Sequence, residues 1–409
     1  MPAAGCFDVV VAGGGPAGSV LSAHLARRGR RVLVLERERF PRFHLGESLL
    51  PGSMGALQEI GILEEANARF LHKHGANFHD WQTDRTVRFD FKEAFHATFD
   101  HAFQVPRDEF DDLLLRNATR LGVDARQGWS VERVRFDGSR ATGVDARDPE
   151  GGSHRFDASV VVDATGRDAL IAHAHKGNER VEGLDKTALY AHWAGAWRDT
   201  GEREGDIQIV VIPAGWFWFI PFKDGRTSVG AVVSSAWMKA RRDGETVPEL
   251  YRRAVAESTV ATRMLAGAEQ LWPARAAADF TFRVRNVSGD GWLAVGDSGG
   301  FIDPLFSTGA HIAMDGAMHA AIAIDLALTA GDTGRDHFAA WARHVDVGAS
   351  LFLEMVKAFY AGALPPLLFA DKPHPYLRRA ITSMLSGHVY DEDARWIREV
   401  RARFAGASS

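Results

Sequence analysis

The segment Val9–Glu36, VVVAGGGPAGSVLSAHLARRGRRVLVLE, constrains the fold more than any other part of the chain. An apolar strand ends at Ala12, and Gly13-x-Gly15-x-x-Gly18 follows, with Pro16 and Ala17 opening a helix of small residues. A second apolar strand, 32–35, is closed by Glu36. This is the order of a dinucleotide-binding βαβ unit. Gly13 permits the tight turn, Gly15 lets backbone approach a pyrophosphate, and Gly18 lets the helix pack close to the strand. The helix start then directs amide groups at phosphate. Glu36 stands where a carboxylate accepts hydrogen bonds from a ribose diol and repels a 2′-phosphate. A glycine-rich turn alone accounts for the three glycines but not for both strands, the helix and the acid together.

Composition narrows the partners. A net charge of −5 leaves no basic footprint for nucleic acid. A single cysteine, Cys6, excludes an intramolecular disulfide framework and a cysteine-ligated metal cluster, and it reads as a small buried filler. The first strand begins with no signal peptide before it, and no apolar run is read as long enough to span a bilayer. The expectation is a cytoplasmic enzyme without a membrane partner. The 409 residues suffice for one large or two intimate domains. Eleven tryptophans and 25 phenylalanines are enough to line a pocket for a flat ligand.

After Glu36, a basic stretch containing Arg37 and Arg39 is broken by Pro41 and reads as a loop. Gly46-Glu47-Ser48 either opens a helix, with small polar groups in reach of a cofactor, or caps a loop-to-helix junction. On spacing alone Lys73, between His72 and His74, reads as an exposed lysine. The histidines lack partners spaced to complete a metal site, so no metal is expected. Residues 86–104 suggest a strand pair or sheet, and 103–115 run from strand into helix. Arg107 at that junction either contacts a cofactor or bridges nearby acids. Residues 131–148 read as a hairpin, and 156–166 as a third strand of the nucleotide sheet, carrying Asp163–Gly166 past the cofactor.

Several strands are expected over 187–233. Within them, alternation places Trp216, Trp218 and Ile220 on one face, which on its own describes a core strand. Residues 247–268 look helical. A short strand then ends at Gly296-Asp297, and a second glycine-rich junction leads into a helix of small residues through about Ala330. Asp297 could accept from a ribityl hydroxyl there, and the helix start could hold negative charge. The remainder reads as helical, interrupted at Pro365-Pro366 and Pro373–Pro375. An arginine-rich helix over 392–404 closes it, either a solvated face or a docking surface.

Three junctions in this order (GGGPAG, Arg107 after a strand, and Gly-Asp near 297) resemble the FAD-dependent monooxygenase superfamily with the p-hydroxybenzoate hydroxylase-like fold, over roughly residues 7–330. Trp216-x-Trp218-x-Ile220-Pro221 matches the WxWxIP signature of flavin-dependent halogenases in full. Phe301-x-x-Pro304-x-x-Ser307-x-Gly309 matches their second signature, and Phe40-Pro-Arg-x-x-x-Gly46-Glu47-Ser48 is similar to theirs. Lys73, in Lys-x-Gly-Ala, falls where their active-site lysine is expected.

The resemblance implies an α/β fold. A discontinuous Rossmann-like FAD-binding domain covers 1–85, 103–185 and 285–330. A β-sheet substrate domain, 86–102 and 186–284, is interleaved with it, and a helical C-terminal region spans 331–409. It further implies that FAD acts as FADH2, with O2 and with chloride or bromide as co-substrate. FAD would be held by the glycine loop with Pro16 and Ala17, by Glu36, Arg37 and Arg39, by Gly46, Glu47 and Ser48, and by Arg107, Asp297, Pro304 and Gly309. Ser307, Thr308 and Gly309 would hold the halide. Trp216, Trp218, Ile220, Pro221, Phe301 and Phe306 would wall the substrate tunnel. Lys73 would guide hypohalous acid, as a hydrogen-bond donor or as a haloamine, to an electron-rich carbon.

A single dinucleotide fingerprint implies a separate flavin reductase. Tryptophan halogenases carry a glutamate where this chain has Phe306. That departure points to phenols, pyrroles or aromatics on an acyl or peptidyl carrier protein. An aromatic hydroxylase using NAD(P)H is the alternative, but Asp163-Ala-Thr-Gly166-Arg167 fits its mid-chain Asp-Gly motif poorly. A non-catalytic flavoprotein of a biosynthetic cluster is a second alternative.

Overall fold

A computed structural model describes residues 6–95, 98–278 and 281–407. The side chain of Cys6 lies outside the described residues. The chain runs through β1 (Cys6–Ala12), α1 (Pro16–Ala26), β2 (Val32–Glu36), β3 (Leu71–Lys73), β4 (Gly75–Asp80), β5 (Thr86–Asp90) and β6 (Ala102–Gln104). Next come α2 (Arg107–Arg120), β7 (Asp124–Gln127), β8 (Ser130–Asp137), β9 (Arg140–Arg147) and β10 (Ser153–Asp163). Then follow β11 (Lys186–Ala194), β12 (Ile207–Ile212), β13 (Gly215–Pro221), β14 (Arg226–Ser234) and β15 (Trp292–Ala294). The described chain ends in α3 (Thr308–Ala330), α4 (Ala339–Tyr360), α5 (Pro375–Leu385) and α6 (Arg395–Ala407).

The first sheet has the parallel order β15-β10-β1-β2-β7. Its central strands read as continuous apolar runs because both faces are covered, one by α1, α2 and α3 and the other chiefly by the β8–β9 hairpin. Val9–Val11 and Val160–Val162 are wholly buried. The return of β10 beside β1, in register Val10↔Val161, makes the nucleotide sheet discontinuous in sequence. The β8–β9 hairpin joins it antiparallel through β10.

The second sheet, ordered β11-β14-β13-β12-β4-β5, is antiparallel except where β4 runs parallel to β12. Residues 86–90 and 102–104 do not pair with each other: β5 pairs with β4, and β6 with β3. The second sheet therefore starts at Gly75 rather than at residue 86. Burial on both faces and a long-range parallel partner drew β4 in, which local pattern does not show. Along β13 the alternation is complete. Trp216, Trp218 and Ile220 pack with the C-terminal helices. Phe217 and Phe219 pack with the helix Val247–Ala256 on the opposite face.

Helix α3 is 23 residues long with a mean hydropathy of 1.4 in its most apolar window, enough to cross a bilayer by length and composition. This corrects the expectation that no apolar run reaches that length. Here the helix packs against α1 and α4, with Ala317, Ala320, Ala321 and Ile324 fully buried. The helix at 51–59 starts at Pro51, not at Gly46–Ser48. Pro365 and Pro375 begin helices instead of only ending them, because proline suits a first helical turn. The arginine-rich helix runs Arg395–Ala407; Arg395 pairs with Glu399 and Arg401 with Glu354.

Candidate active site

The β1–α1 turn is built by the absence of side chains. Gly13 has φ +104°, and a Cβ there would lie 2.3 Å from the Ala164 carbonyl oxygen. A Cβ at Gly18 would meet the Gly13 oxygen at 2.0 Å. A Cβ at Gly15 would find only the Arg42 guanidinium, at 3.6 Å, so the space over this residue is open to a ligand. Gly14 N–H donates to Glu36 Oε2 at 2.7 Å and Glu38 N–H to Oε1 at 2.8 Å, which aims the carboxylate at the same cavity. An open glycine cradle beside an oriented acid fits the pyrophosphate and ribose of a dinucleotide.

One cavity collects most of the expected residues from five separate chain segments. Gly13, Gly15, Pro16, Ala17, Glu36 and Arg37 line one end. Gly46, Glu47, Ser48, Arg107 and Asp297 follow, and Trp216, Trp218, Ile220, Phe301, Pro304, Ser307, Thr308 and Gly309 close the other end. Arg39, Pro221, Phe306 and Lys73 do not line it, and Gly18 lies beneath the loop. Phe306 is 2% exposed and packs edge-on against Phe359. Arg42, His44, Trp129 and Arg167 are cavity residues not singled out from the sequence; Arg42 lies within the Phe40-Pro-Arg motif and Arg167 directly follows Gly166, whereas no local pattern marks His44 or Trp129.

Arg107 is used internally as well as lining the cavity. It holds Asp111 with two nitrogens, at 2.7 and 2.9 Å, and donates to the Leu45 and Gly46 carbonyls. It thereby straps residues 45–47 to α2. Next to it, Glu47 and His192 form a buried pair at 2.8 Å. Asp163 is likewise occupied: it accepts from Thr165 and from the Ile171 amide. Burial pushes the Asp297 carboxyl up to about 6, against the pull of Arg107 and Arg167.

Lys73 is only 1% exposed, which overturns the reading from spacing. Its Nζ donates to Ser48 Oγ at 2.9 Å and to the Leu49 carbonyl at 3.0 Å, and it lies 5.4 Å from the Phe91 ring centroid. Asp206, fully buried, anchors the next residue by accepting from His74 N–H and binds Arg88. Burial lowers the Lys73 ammonium to about 7, with the Asp206 charge acting in the opposite direction. Lys73 thus stands one hydrogen bond behind the cavity wall, and Ser48 is the wall.

At the far end Ser307 adopts a left-handed conformation, φ 57°, directly before α3. That conformation is uncommon outside glycine and aims the first amides of a long helix at the cavity. The preceding turn is held by Asp303, which accepts from Leu305 N–H and from the Tyr360 hydroxyl at 3.1 Å. Tyr360 in turn accepts from Trp216 Nε1 at 3.0 Å. Helix α4 therefore ties the tryptophan strand to the turn before α3. Tyr360→Phe is expected to cost about 1–3 kcal/mol in urea unfolding, since it leaves Asp303 Oδ2 and the Trp216 indole N–H without their partner, while Asp303 Oδ1 keeps the Leu305 amide.

The family model described as tryptophan halogenase matches residues 8–98 and 84–363. The chain belongs to the flavin-dependent halogenases. This halogenase is 34% identical to the tryptophan 2-halogenase of Chondromyces crocatus over 77% of its own length, and spans 60% of that relative. It is 29% identical to a 1H-pyrrole-2-carbonyl-[peptidyl-carrier protein] brominase of Pseudoalteromonas luteoviolacea, covering 94% of this chain and 93% of the relative. A flavoprotein/dehydrogenase crystal structure from Cytophaga hutchinsonii superposes with a TM-score of 0.89 at 28% identity, covering 98% of the halogenase and all of that chain. The halogenase is an oxidoreductase of a family that works with FADH2, O2 and a halide on aromatic substrates.

Proposed function

We propose that this halogenase transfers chloride or bromide, as hypohalous acid, to a phenol or pyrrole that is free or tethered to a carrier protein. The observation that carries this reading is the convergence of the glycine cradle, the tryptophan wall and the start of α3 on one cavity, with Lys73 directly behind it. Bound FADH2 supplies, with O2, the two-electron oxidation of the halide. The chain's own residues do the rest. Gly13, Gly15 and Glu36 hold the nucleotide end, and Gly46, Glu47, Ser48, Arg107 and Asp297 hold the remainder. The amides of Thr308 and Gly309, beside Ser307, bind the halide at the positive end of α3. Trp216, Trp218 and Ile220, with Phe301, keep the organic substrate apart from the oxidant. Arg37 and Pro304 line the same space, whereas Arg39, Pro221 and Phe306 do not and are given no role at the site.

Lys73 acts as a hydrogen-bond donor, the role it already plays toward Ser48 Oγ. Ser48 then turns its own O–H to the cavity, so the ammonium reaches hypohalous acid through a hydroxyl. Ser48→Ala is expected to lower halogenation by about 100-fold with flavin affinity retained, measured by product formation and a flavin titration. The protonation state discriminates the two chemical roles. A donor requires the charged form, so the rate should fall as pH rises through about 7. A rate that rises over that interval would instead assign Lys73 to attack on halogen as a neutral amine.

The carrier-bound pyrrole acted on by the Pseudoalteromonas relative, covered almost end to end, supports a tethered or phenol-like substrate over free tryptophan. Phe306 in the core leaves no carboxylate at that position. A separate flavin reductase supplies reduced flavin in the cytoplasm, consistent with one dinucleotide cradle and an Asp163 engaged in its own turn. The deciding experiment supplies chemically reduced FAD, O2 and halide, with a general trap for hypohalous acid. Halide-dependent trapping is expected; hydrogen peroxide without halide dependence overturns the proposal in favour of a hydroxylase or a non-catalytic flavoprotein.

A further inference from the structure

Two turns into α3, away from the cavity, Asp315 and His319 sit four residues apart on one helix face, and His344 meets them from α4. One donor atom from each lies within 4.8 Å of the other two. Asp315 Oδ2 is 2.7 Å from His344 Nε2 and 3.5 Å from His319 Nδ1. The imidazole rings are 4.0 Å apart. A carboxylate and an imidazole four apart on a helix form a natural chelate, since that spacing stacks side chains on one face.

The surroundings hold the trio in place. Trp341 Nε1 donates to the Gly316 carbonyl at 2.8 Å, next to Asp315, and fixes α4 against α3 at this level. Tyr390 stacks on His344 at 4.2 Å and 11°, and only a glycine at 348 admits it, because a Cβ there would lie 2.3 Å from the ring. The Tyr390 hydroxyl is buried without a well-formed hydrogen bond, and its charged neighbour is Asp315. Burial is graded: the side chains of Asp315, His344 and His319 are 11%, 24% and 37% exposed. Solvent reaches the histidines, so an ion has an entry path.

We propose that Asp315, His319 and His344 bind a divalent transition metal, with Zn2+ as the fitting ion, and that the metal clips α3 to α4. Two imidazoles and one carboxylate select Zn2+ or Co2+ over Mg2+ and Ca2+, which prefer oxygen-only sets. One carboxylate charge against a dication leaves the site with a modest net charge, and Tyr390 supplies an outer-shell partner for the carboxylate. Binding requires two contacts to open: the Asp315–His344 hydrogen bond at 2.7 Å and the hydrogen bond of His319 Nδ1 to the Asp315 backbone carbonyl at 3.0 Å.

The test uses the full chain after chelator treatment, titrated with Zn2+ by calorimetry and with Co2+ by visible absorption. Saturable binding of about one equivalent is expected, with a Co2+ ligand-field band. His344→Ala and His319→Ala should each weaken it by about tenfold or more. His319 is the most exposed of the three side chains, at 37%, so its variant is expected to keep the fold, checked by circular dichroism and flavin binding. Absence of saturable binding overturns the proposal. So does binding of unchanged affinity in both variants, which would place the metal on other histidines such as His72, His74 and His101.

Discussion

Lys73→Met is expected to abolish halogenation and at the same time raise the melting temperature. The ammonium is buried and lowered to about 7 from an ordinary 10.5. At about 1.4 kcal/mol per pH unit, that shift represents a native-state penalty of up to about 4–5 kcal/mol near pH 7. The hydrogen bonds to Ser48 and Leu49 recover part of it, so the net gain on substitution is smaller. Methionine fills a similar volume without the charge. The pH dependence carries the same signature. A lysine depressed in the native state binds fewer protons folded than unfolded between about 7 and 10.5, so stability increases with pH across that window. The penalty is fully present below about 7. In the methionine variant this part of the slope should vanish, measured by urea unfolding at several pH values. A variant that keeps product formation would remove Lys73 from the chemistry. One that is less stable than the parent would mean the ammonium is better solvated by its partners than its burial suggests.

The second large effect separates two glycines of one motif. Gly13→Ala adds a methyl group 2.3 Å from the Ala164 carbonyl at φ +104°, so both sterics and backbone oppose it. A loss of roughly 3 kcal/mol or more is expected, with flavin affinity falling because the β1–β10 junction distorts. Gly15→Ala adds a methyl group that meets nothing closer than Arg42 at 3.6 Å. It should fold with little change in stability and still lose flavin affinity, because the methyl group occupies the space the pyrophosphate needs. Thermal melts and flavin titrations on the two variants distinguish these outcomes. Unchanged flavin affinity in Gly15→Ala would place the phosphate elsewhere.

Much of the architecture was legible because it is written locally. Strand periodicity, the turn glycines and the small-residue helices predicted the βαβ unit, the β8–β9 hairpin, β10 as third strand and α3 with its end near Ala330. Alternation along β13 foretold which aromatics share a face. Where a segment's partner is distant, local reading failed. Nothing within 75–80 shows that β4 will lie parallel to β12, more than a hundred residues away. The spacing around Lys73 describes an exposed lysine, yet residues 48–49, 91 and 206 close over it.

The sequence by itself determined that this chain would build a glycine-rich β1–α1 turn of the dinucleotide-binding type and carry the two halogenase signatures in order. Those features follow from backbone stereochemistry and side-chain period, which act over a few residues. Tertiary structure alone decided that Lys73 is buried behind Ser48 instead of standing in the cavity. It also decided that Arg107 straps the 45–47 segment, and that Tyr360 joins Trp216 to Asp303. The Asp315, His319 and His344 cluster is set in the same way, by the packing of α4 on α3. Each of these depends on which distant surfaces exclude water together, and burial is a property of the assembled molecule rather than of any segment.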